Sequence, residues 1–372
     1  MIYRQYGKDG PEISRLGFGA MRLPRRNKNA GWESVNYTRS VEVIRAALDA
    51  GVNFIDSHHN YHEGKSEIAI GKALKGWKGH RVYIQTKTPW YRGEPRKFYE
   101  RLLYEALEKL GVDCIDVLLN HMLSLKVWKK RGRQFIRFTD WAIKRGLIRR
   151  RGFSSHDRVE NIRKLIDTGE FSVVLLSYNW MNQEVKDLIA RAAGKGMGVS
   201  IMNPVGGGTL STPTPEIMRL LPGAKSAAEI GLRWVLSTPG VTSALSGMNT
   251  LEQVAENAKV ASRKTPMTAK QRRRMQARLD KIAAASQKFC TACGYCMPCR
   301  HGVDIPANFR LLDRVRFFGQ VQLAKERYKR LKNHRDGDRS AEACRQCGEC
   351  EPKCPIHVPI IKQLQEVSSL LG

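Results

Sequence analysis

The chain has 372 residues, 42% of them hydrophobic, which is enough for one large core and a small appendage. Its formal charge is +29, carried partly by blocks such as Lys129-Lys130-Arg131, Arg149-Arg150-Arg151 and Arg272-Arg273-Arg274. It has no apolar run of the roughly 18 residues a transmembrane helix needs, and the opening MIYRQYGKDGPEIS lacks the apolar stretch of a secretory signal, so a cytoplasmic location is expected. The positive charge fits a solvated basic surface, an acidic protein partner, an anionic substrate or cofactor, or nucleic acid, and charge alone does not separate these.

Strand patterns recur at residues 16–21, 53–57, 82–87, 115–121, 151–155, 173–178, 198–203 and 242–247. Between them run segments with apolar residues three and four apart, among them 41–50, 98–110, 160–166, 185–193 and 227–236. Eight strand-then-helix units predict a (β/α)8 barrel over residues 1–265. A doubly wound open sheet is the rival. It asks for a glycine-rich phosphate turn after the first strand, and Gly17-Phe18-Gly19 lacks the rest of that fingerprint. Residues 266–283 form a basic, alanine-rich helical connector, and 284–372 form a small second domain with a charged helical stretch at 305–333. A domain of that size buries little core, so bound metal should hold it together.

Of nine cysteines, Cys114 stands alone and eight fall in two tight groups near the C-terminal end. A disulfide framework would spread them; two groups of four predict metal. Cys344-x2-Cys347-x2-Cys350-x3-Cys354-Pro355 has the bacterial ferredoxin spacing for a [4Fe-4S] cluster. Cys290-x2-Cys293-x2-Cys296-x2-Cys299 is one residue shorter at its last step, and Arg300 stands where proline is usual. Zinc is the alternative for paired CxxC, but three cysteines at this spacing wrap a cube better than an ion held by two separated pairs. In two-cluster ferredoxins the fourth cysteine of each run serves the other cluster. That pattern assigns Cys290, Cys293, Cys296 and Cys354 to one cluster, and Cys344, Cys347, Cys350 and Cys299 to the other. The helical stretch between the runs suggests an α-helical dicluster domain.

Barrel chemistry sits at the C-terminal strand ends. The polar residues expected there are Asp56 and Tyr61 after strand two, Lys87 on strand three and His121 on strand four. Each alone is as readily a solvated cap or a locally satisfied side chain. Four at one level on three consecutive strands are not readily accidental. The strings GVNFIDSHHNYHEGKSEIAIGKALK, YIQTK and IDVLLNH resemble the strand-two, strand-three and strand-four segments of the aldo-keto reductases. YRQYGKDGPEISRLGFGAMRLP resembles that family's N-terminal hairpin and first strand, and WVLSTPGVTSALSGMNTLEQVAEN its last strand and helix. CTACGYCMPC followed by HGVDIP resembles the subfamily with a C-terminal dicluster domain.

The resemblance implies a catalytic set of Tyr61, Asp56, Lys87 and His121. Tyr61 would be the proton donor, Lys87 would lower its pKa from the free value near ~10, Asp56 would hold Lys87, and His121 would orient the carbonyl oxygen. It also implies a nicotinamide site. Ser154 matches a family serine, and Ser155 stands where many members have asparagine. Met202, Pro204 and Gly206 fall in the loop over the pyrophosphate; Gly247, Met248, Gln253, Glu256 and Asn257 lie at the adenosine end. Gly247 and Gln253 occupy the places where NADPH-specific members carry basic residues, so NAD versus NADP stays open. His58, His59 and His62 crowd the strand-two loop without a carboxylate or cysteine pattern to complete a metal site. Trp90, Tyr91 and Trp180 are either pocket lining or loop packing.

The function expected is NAD(P)H-dependent reduction of an aldehyde or ketone, or the reverse, on a small carbonyl substrate, with two [4Fe-4S] clusters serving electron transfer or structure. One alternative is an enzyme fed single electrons by an acidic ferredoxin or flavodoxin. Nicotinamide moves two electrons as hydride and a cluster moves one, so coupling them needs a switch such as a flavin, for which no motif is legible. The other alternative is a redox-sensing nucleic-acid-binding protein, against which the intact Asp/Tyr/Lys/His set argues.

Overall fold

A computed structural model describes residues 1–26, 33–208, 210–285, 296–354 and 358–372. They form two compact units, Met1–Leu210 with Gly231–Thr268, and Ser211–Ile230 with Ala269–Gly372.

In the first unit an antiparallel hairpin, β1 (Tyr3–Gln5) and β2 (Glu12–Ser14), precedes eight parallel strands. These are β3 (Leu16–Gly19), β4 (Phe54–Asp56), β5 (Tyr83–Thr88), β6 (Ile115–Asn120), β7 (Ile148–Ser154), β8 (Val173–Ser177), β9 (Gly198–Met202) and β10 (Ser243–Ser246). They close in the order β10-β3-β4-β5-β6-β7-β8-β9, the (β/α)8 barrel the alternation predicts. Seven strands match their expected spans to within two residues at either end; β7 begins at Ile148, earlier than the apolar pattern suggests. Its first turn of strand is a run of arginines, each satisfied at the barrel rim. Arg149 lies 3.4 Å from Asp116, and Arg151 donates to the Glu170 carbonyl at 2.8 Å. Charge pairing there hides the strand from a hydrophobicity reading.

The barrel interior is Phe54, Val117, Leu119, Val173, Leu175 and Leu245, and the hairpin adds Tyr6 and Ile13 from below. Fully burying each such side chain contributes roughly 1.5–3 kcal/mol. The surrounding helices follow local rules. Tyr37–Asp49 buries Val43, Ile44, Ala47 and Leu48 at three- and four-residue spacing, and Asn36 caps it by accepting from Arg39 N at 3.1 Å. Arg96–Leu110 stops at Gly111, whose φ of 65° is the left-handed conformation glycine takes without strain.

The second unit is helical, with Ile305–Phe318, Val321–Lys332 and Ile360–Leu371 around a small core that includes Phe309, Leu312, Tyr328, Leu364 and Val367. The helical stretch expected over 305–333 consists of two helices, because Gly319 at φ 58° ends the first. Cys299, Cys344, Cys350 and Cys354 pack against that core, as an α-helical ferredoxin-like domain requires. Among the described residues no helix is long and apolar enough to cross a membrane.

Candidate functional site

Parallel strands put their C-terminal ends at one face of the barrel, and the short β4 and longer β5 bring Asp56 and Lys87 together there. Lys87 Nζ donates to Asp56 Oδ1 at 2.8 Å, to Oδ2 at 2.7 Å and to the Ser57 carbonyl at 2.5 Å. The pair is nearly sealed, with side-chain exposures of 2% and 7%. Burial opposes the Lys87 ammonium, but Asp56 and Tyr61 outweigh it and hold its pKa above the ordinary value. Lys87 Nζ lies 4.9 Å from the centre of the Tyr61 ring. Lys87 acts on the Tyr61 pKa in the lowering direction, but it is not the largest influence. Burial comes first and raises it, Lys87 pulls it back, and the net direction is upward.

His121 follows β6 and completes the group. Its ring lies 4.1 Å from that of His58, which lies 5.2 Å from that of Tyr61. Burial, with Lys87 next, pushes the His121 pKa down to about 3, so the imidazole is neutral at neutral pH. Its Nδ1 is buried with no hydrogen-bond partner among the described residues. His58 and His59 are linked by a 3.0 Å ring hydrogen bond, and burial keeps both below the usual histidine pKa. The loop after Tyr61 is strained: His62 at φ 53° and Glu63 at φ 57° are both left-handed without being glycine. Ser66 anchors that loop, sharing a 2.9 Å hydrogen bond with Ser57 and donating to the Ala20 carbonyl at 3.0 Å. Ser66, in the stretch Gly64-Lys65-Ser66-Glu67, therefore fastens the loop that carries Tyr61.

Sequence reasoning missed what lies beneath Asp56. Gln85 Nε2 donates to Asp56 Oδ1 at 2.8 Å, and Tyr6 donates its hydroxyl to Gln85 Oε1 at 2.8 Å. The Tyr6 oxygen also meets Ser200 Oγ at 2.9 Å. A buried polar chain thus runs from the barrel floor to the Asp56/Lys87 pair. The signal was available as a Gln at the second position before Lys87 on a strand whose side chains alternate, so residues 85 and 87 share a face.

The expected cofactor residues sit at the same strand ends. Met202 closes β9, and the chain then turns through Gly206, Gly207 and Gly208 at φ 59°, 65° and 92°. Such a turn leaves backbone open to close approach by a ligand. Pro204 is buried in it, while Gly247 and the buried Met248 follow β10, the neighbour of β9. On the helix Leu251–Ala261, Asn257 donates to Ser246 Oγ at 3.1 Å and Gln253 accepts from Asn249 N at 2.9 Å; Glu256 lies one residue before Asn257. Ser154 Oγ accepts from Met122 N at 3.0 Å. Ser155 Oγ donates to the Leu123 carbonyl at 2.7 Å and accepts from Asp157 N at 3.1 Å, so its hydroxyl fastens the loop after β7. A glycine turn beside two strand ends fits a phosphate-bearing dinucleotide. Trp90 is buried and stacked in an aromatic group with Tyr99, Phe135 and Phe138, which is loop packing. A cavity of about 720 Å³ lined by Arg4, Lys8, Lys264 and the segments leading into β9 and β10 includes none of the residues of this chemistry.

In the second unit Cys299, Cys344, Cys347 and Cys350 line one cavity, with Cys296 also on its wall. Backbone N–H groups of Gln346 and Val358 point at Cys344 Sγ and Cys354 Sγ, both at 3.4 Å. An all-thiol donor set with N–H···S support fits an iron–sulfur cluster. Cys290, Cys293 and Pro355 lie outside the described residues.

The family profile described as "Aldo/keto reductase family" matches residues 15–280, and that described as "4Fe-4S dicluster domain" matches 289–362. Among characterised proteins the chain is 24% identical over 297 residues to an NADH-specific methylglyoxal reductase of Escherichia coli, covering 66% of this chain and 89% of that one. It is 23% identical over 316 residues to a probable voltage-gated potassium channel subunit beta of Oryza sativa, covering 70% and 90%. Among solved structures, aldo-keto reductase AKR11C1 of Bacillus halodurans in its holo form aligns with a TM-score of 0.64 at 23% identity, covering 74% of this chain and 96% of that one. An aldo/keto reductase of Klebsiella pneumoniae in complex with NADP and acetate aligns at 0.60 and 20% identity, covering 76% and 95%.

Proposed function

The chain belongs to the aldo/keto reductase family and carries a 4Fe-4S dicluster domain, and we propose that this oxidoreductase interconverts a small carbonyl compound and its alcohol with NADH or NADPH. When bound, the nicotinamide supplies hydride to the carbonyl carbon, or takes it back. Tyr61, kept protonated at neutral pH by its burial, gives its hydroxyl proton to the carbonyl oxygen as negative charge develops there. One C–H and one O–H bond form as the C=O double bond becomes single. Lys87 steadies the tyrosinate left behind, and Asp56 balances the buried ammonium. Neutral His121 offers an imidazole to the same oxygen without adding a second cation beside Lys87.

The observation that carries this reading is the Asp56–Lys87 pair, held at 2.7 Å and set 4.9 Å from the Tyr61 ring. A desolvated ion pair is expensive to keep, and beside a tyrosine at a barrel mouth it has a chemical use. The likeness to a protein named as a methylglyoxal reductase supports a small aldehyde as first substrate. The test is oxidation of NADH or NADPH by anaerobic protein given a panel of small aldehydes and ketones. Turnover that disappears in Tyr61→Phe supports the reading; turnover indifferent to that change removes it.

For the second unit we propose two clusters, Cys344, Cys347, Cys350 and Cys299 holding one, and Cys290, Cys293, Cys296 and Cys354 the other. A [4Fe-4S] cluster supplies electrons singly. Arg300, His301, Arg345 and Lys353 stand around the cavity lined by Cys299, Cys344, Cys347 and Cys350, where Glu349 pairs with Arg300 at 2.6 Å and leaves the rim basic on balance. That basic rim favours a further reading, electron entry from an acidic ferredoxin or flavodoxin. Rapid cluster reduction by such a protein, slowing steeply with salt over a Debye length of roughly 8–10 Å, supports it. Slow, salt-insensitive reduction favours a scaffold role instead. Clusters held by cysteine thiolates, which disulfide formation would remove, suit a reducing, cytoplasmic location.

A further inference from the structure

The turn that carries Tyr61 into the site is closed by one residue, His58. Its Nδ1 accepts from Asn60 N at 3.2 Å, and its carbonyl accepts from Tyr61 N at 3.0 Å. A backbone N–H only donates, so Nδ1 is the bare nitrogen of His58 and the ring proton sits on Nε2. That Nε2–H then donates to His59 Nδ1 at 3.0 Å. The acceptor role of His59 Nδ1 places the His59 proton on Nε2 as well. Both rings are neutral in this arrangement, and neither can take a proton on Nδ1 without losing its hydrogen bond.

The same ring packs against two side chains of the site. Its centre lies 4.1 Å from that of the His121 ring and 5.2 Å from that of the Tyr61 ring, and His58 itself is 4% exposed. Both of its nitrogens are spent on the loop, so it offers a substrate neither a donor nor an acceptor. His121 is tied through its backbone, its N donating to the Thr88 carbonyl at 2.9 Å, but its Nδ1 is buried with no hydrogen-bond partner among the described residues. The titratable groups facing His121 are Lys87 on β5, Tyr91 after β5, His58 and His59 after β4, and His156 after β7. None of these is a carboxylate that would favour an imidazolium. The ring of His121 is thus held by packing, and His58 is the nearest aromatic ring against it.

We propose that His58 is a positioning residue that brings Tyr61 and His121 to bear on one carbonyl oxygen and shuts water away from the His121 ring. It acts through two separable parts. The Nδ1 acceptor shapes the turn that aims Tyr61, and the flat ring braces His121. The proposal rests on the carbonyl-reduction reading above and adds to it a residue outside the set of Asp56, Tyr61, Lys87 and His121. It gives His58 and His59 a use as neutral rings, with neither an acid, a base nor a metal ligand. A proton on His58 Nδ1 would break the turn and set a second cation near Lys87.

Three substitutions separate the two parts. His58→Asn keeps an acceptor that reaches the N–H two residues on and removes the ring. His58→Phe keeps a flat ring and removes the acceptor, and His58→Ala removes both. Anaerobic full-length protein is assayed with NADH or NADPH and a small aldehyde, and the His121 ring is followed by NMR from about pH 5 to about pH 8. In the wild type His121 should not titrate in that range, because burial holds it down at about 3. In His58→Ala and His58→Asn water reaches the ring, and His121 should titrate within the range, toward the free value of about 6.5; in His58→Phe it should not. Turnover should fall roughly 10- to 100-fold in His58→Ala with nucleotide affinity retained, and His58→Asn and His58→Phe should each recover part of it. A His121 that titrates alike in the wild type and His58→Ala, or undiminished turnover by His58→Ala, would overturn the proposal. Equal losses in all three variants would overturn the division into two parts. A wild type that reduces no carbonyl would bring down the reduction reading, and the NMR comparison would still decide whether His58 braces His121.

Discussion

Gln85 Nε2 and Lys87 Nζ both donate to Asp56 Oδ1 at 2.8 Å, so one carboxylate oxygen is fixed from two directions. The glutamine is itself oriented, because Tyr6 donates to its Oε1 at 2.8 Å and burial keeps the Tyr6 hydroxyl protonated. Asp56 is thereby held in the plane that presents Lys87 to Tyr61. Gln85→Leu should lower kcat by about tenfold or more, since a buried acceptor loses a donor and the pair shifts. Nicotinamide affinity should not change. Tyr6→Phe should act in the same direction more weakly, and the double variant should cost less than the sum of the two. Steady-state kinetics on the four proteins checks this; additive effects would mean that Tyr6 does not act through Gln85.

Tyr61→Phe removes the proton donor and leaves the ring to pack. Turnover of any carbonyl substrate should fall by at least ~10²-fold, with nucleotide binding retained. Stopped-flow measurement of the hydride step separates this from a binding defect.

Anaerobic protein should carry about eight iron and eight acid-labile sulfide per chain, as two four-iron cubes require. Cys299 shares its cavity with Cys344, Cys347 and Cys350. Cys299→Ser should therefore alter the electron paramagnetic resonance signal of the cluster that Cys347→Ser also alters. If Cys299→Ser and Cys293→Ser disturb the same cluster instead, the crossed ligation is wrong. Stoichiometric zinc in place of iron would contradict both.

Asp313, on the helix Ile305–Phe318, gives a pH dependence with a definite sign. Burial pushes its carboxyl up to about 7 from an ordinary 3.8, and its Oδ1 has no hydrogen-bond partner among the described residues. Arg316, the first of the arginines that oppose the shift, is engaged with Glu366. Between the ordinary value and 7 the folded state holds a proton that the unfolded state releases. The stability this contributes is therefore full below the ordinary value and lost as pH rises through about 7. Hydrogen exchange in this helix should be slower at about pH 5.5 than at about pH 8 after correction for intrinsic rates. Asp313→Asn should remove part of that difference. An identical pH dependence in the variant would exclude Asp313 as its source.

Much of the barrel was legible because strand and helix periodicities alternate along the chain, and because Asp56, Lys87 and His121 stand where parallel strands end. What stayed hidden depends on the third dimension. The arginines of β7 read as surface charge, although their partners at the rim let a strand form around them. The net direction of the Tyr61 shift could not be read from Lys87 alone, since burial is a property of the packed loop. Gln85 and Tyr6 are far apart in sequence and meet only when the hairpin closes the floor. The cysteine runs were legible by spacing, whereas the cavity joining Cys299 to the second run needed the fold.

Hydride transfer at the barrel mouth, with Tyr61 completing the reduction, is open to test by label transfer. Anaerobic protein is incubated with NADH or NADPH deuterated at C4 of the nicotinamide and a small aldehyde, and the alcohol is analysed by mass spectrometry and NMR. The wild type should place one deuterium on the former carbonyl carbon, with single stereochemistry, and Tyr61→Phe should label at least ~10²-fold more slowly. Alcohol formed without deuterium at that carbon, or labelled equally fast by Tyr61→Phe, would contradict it.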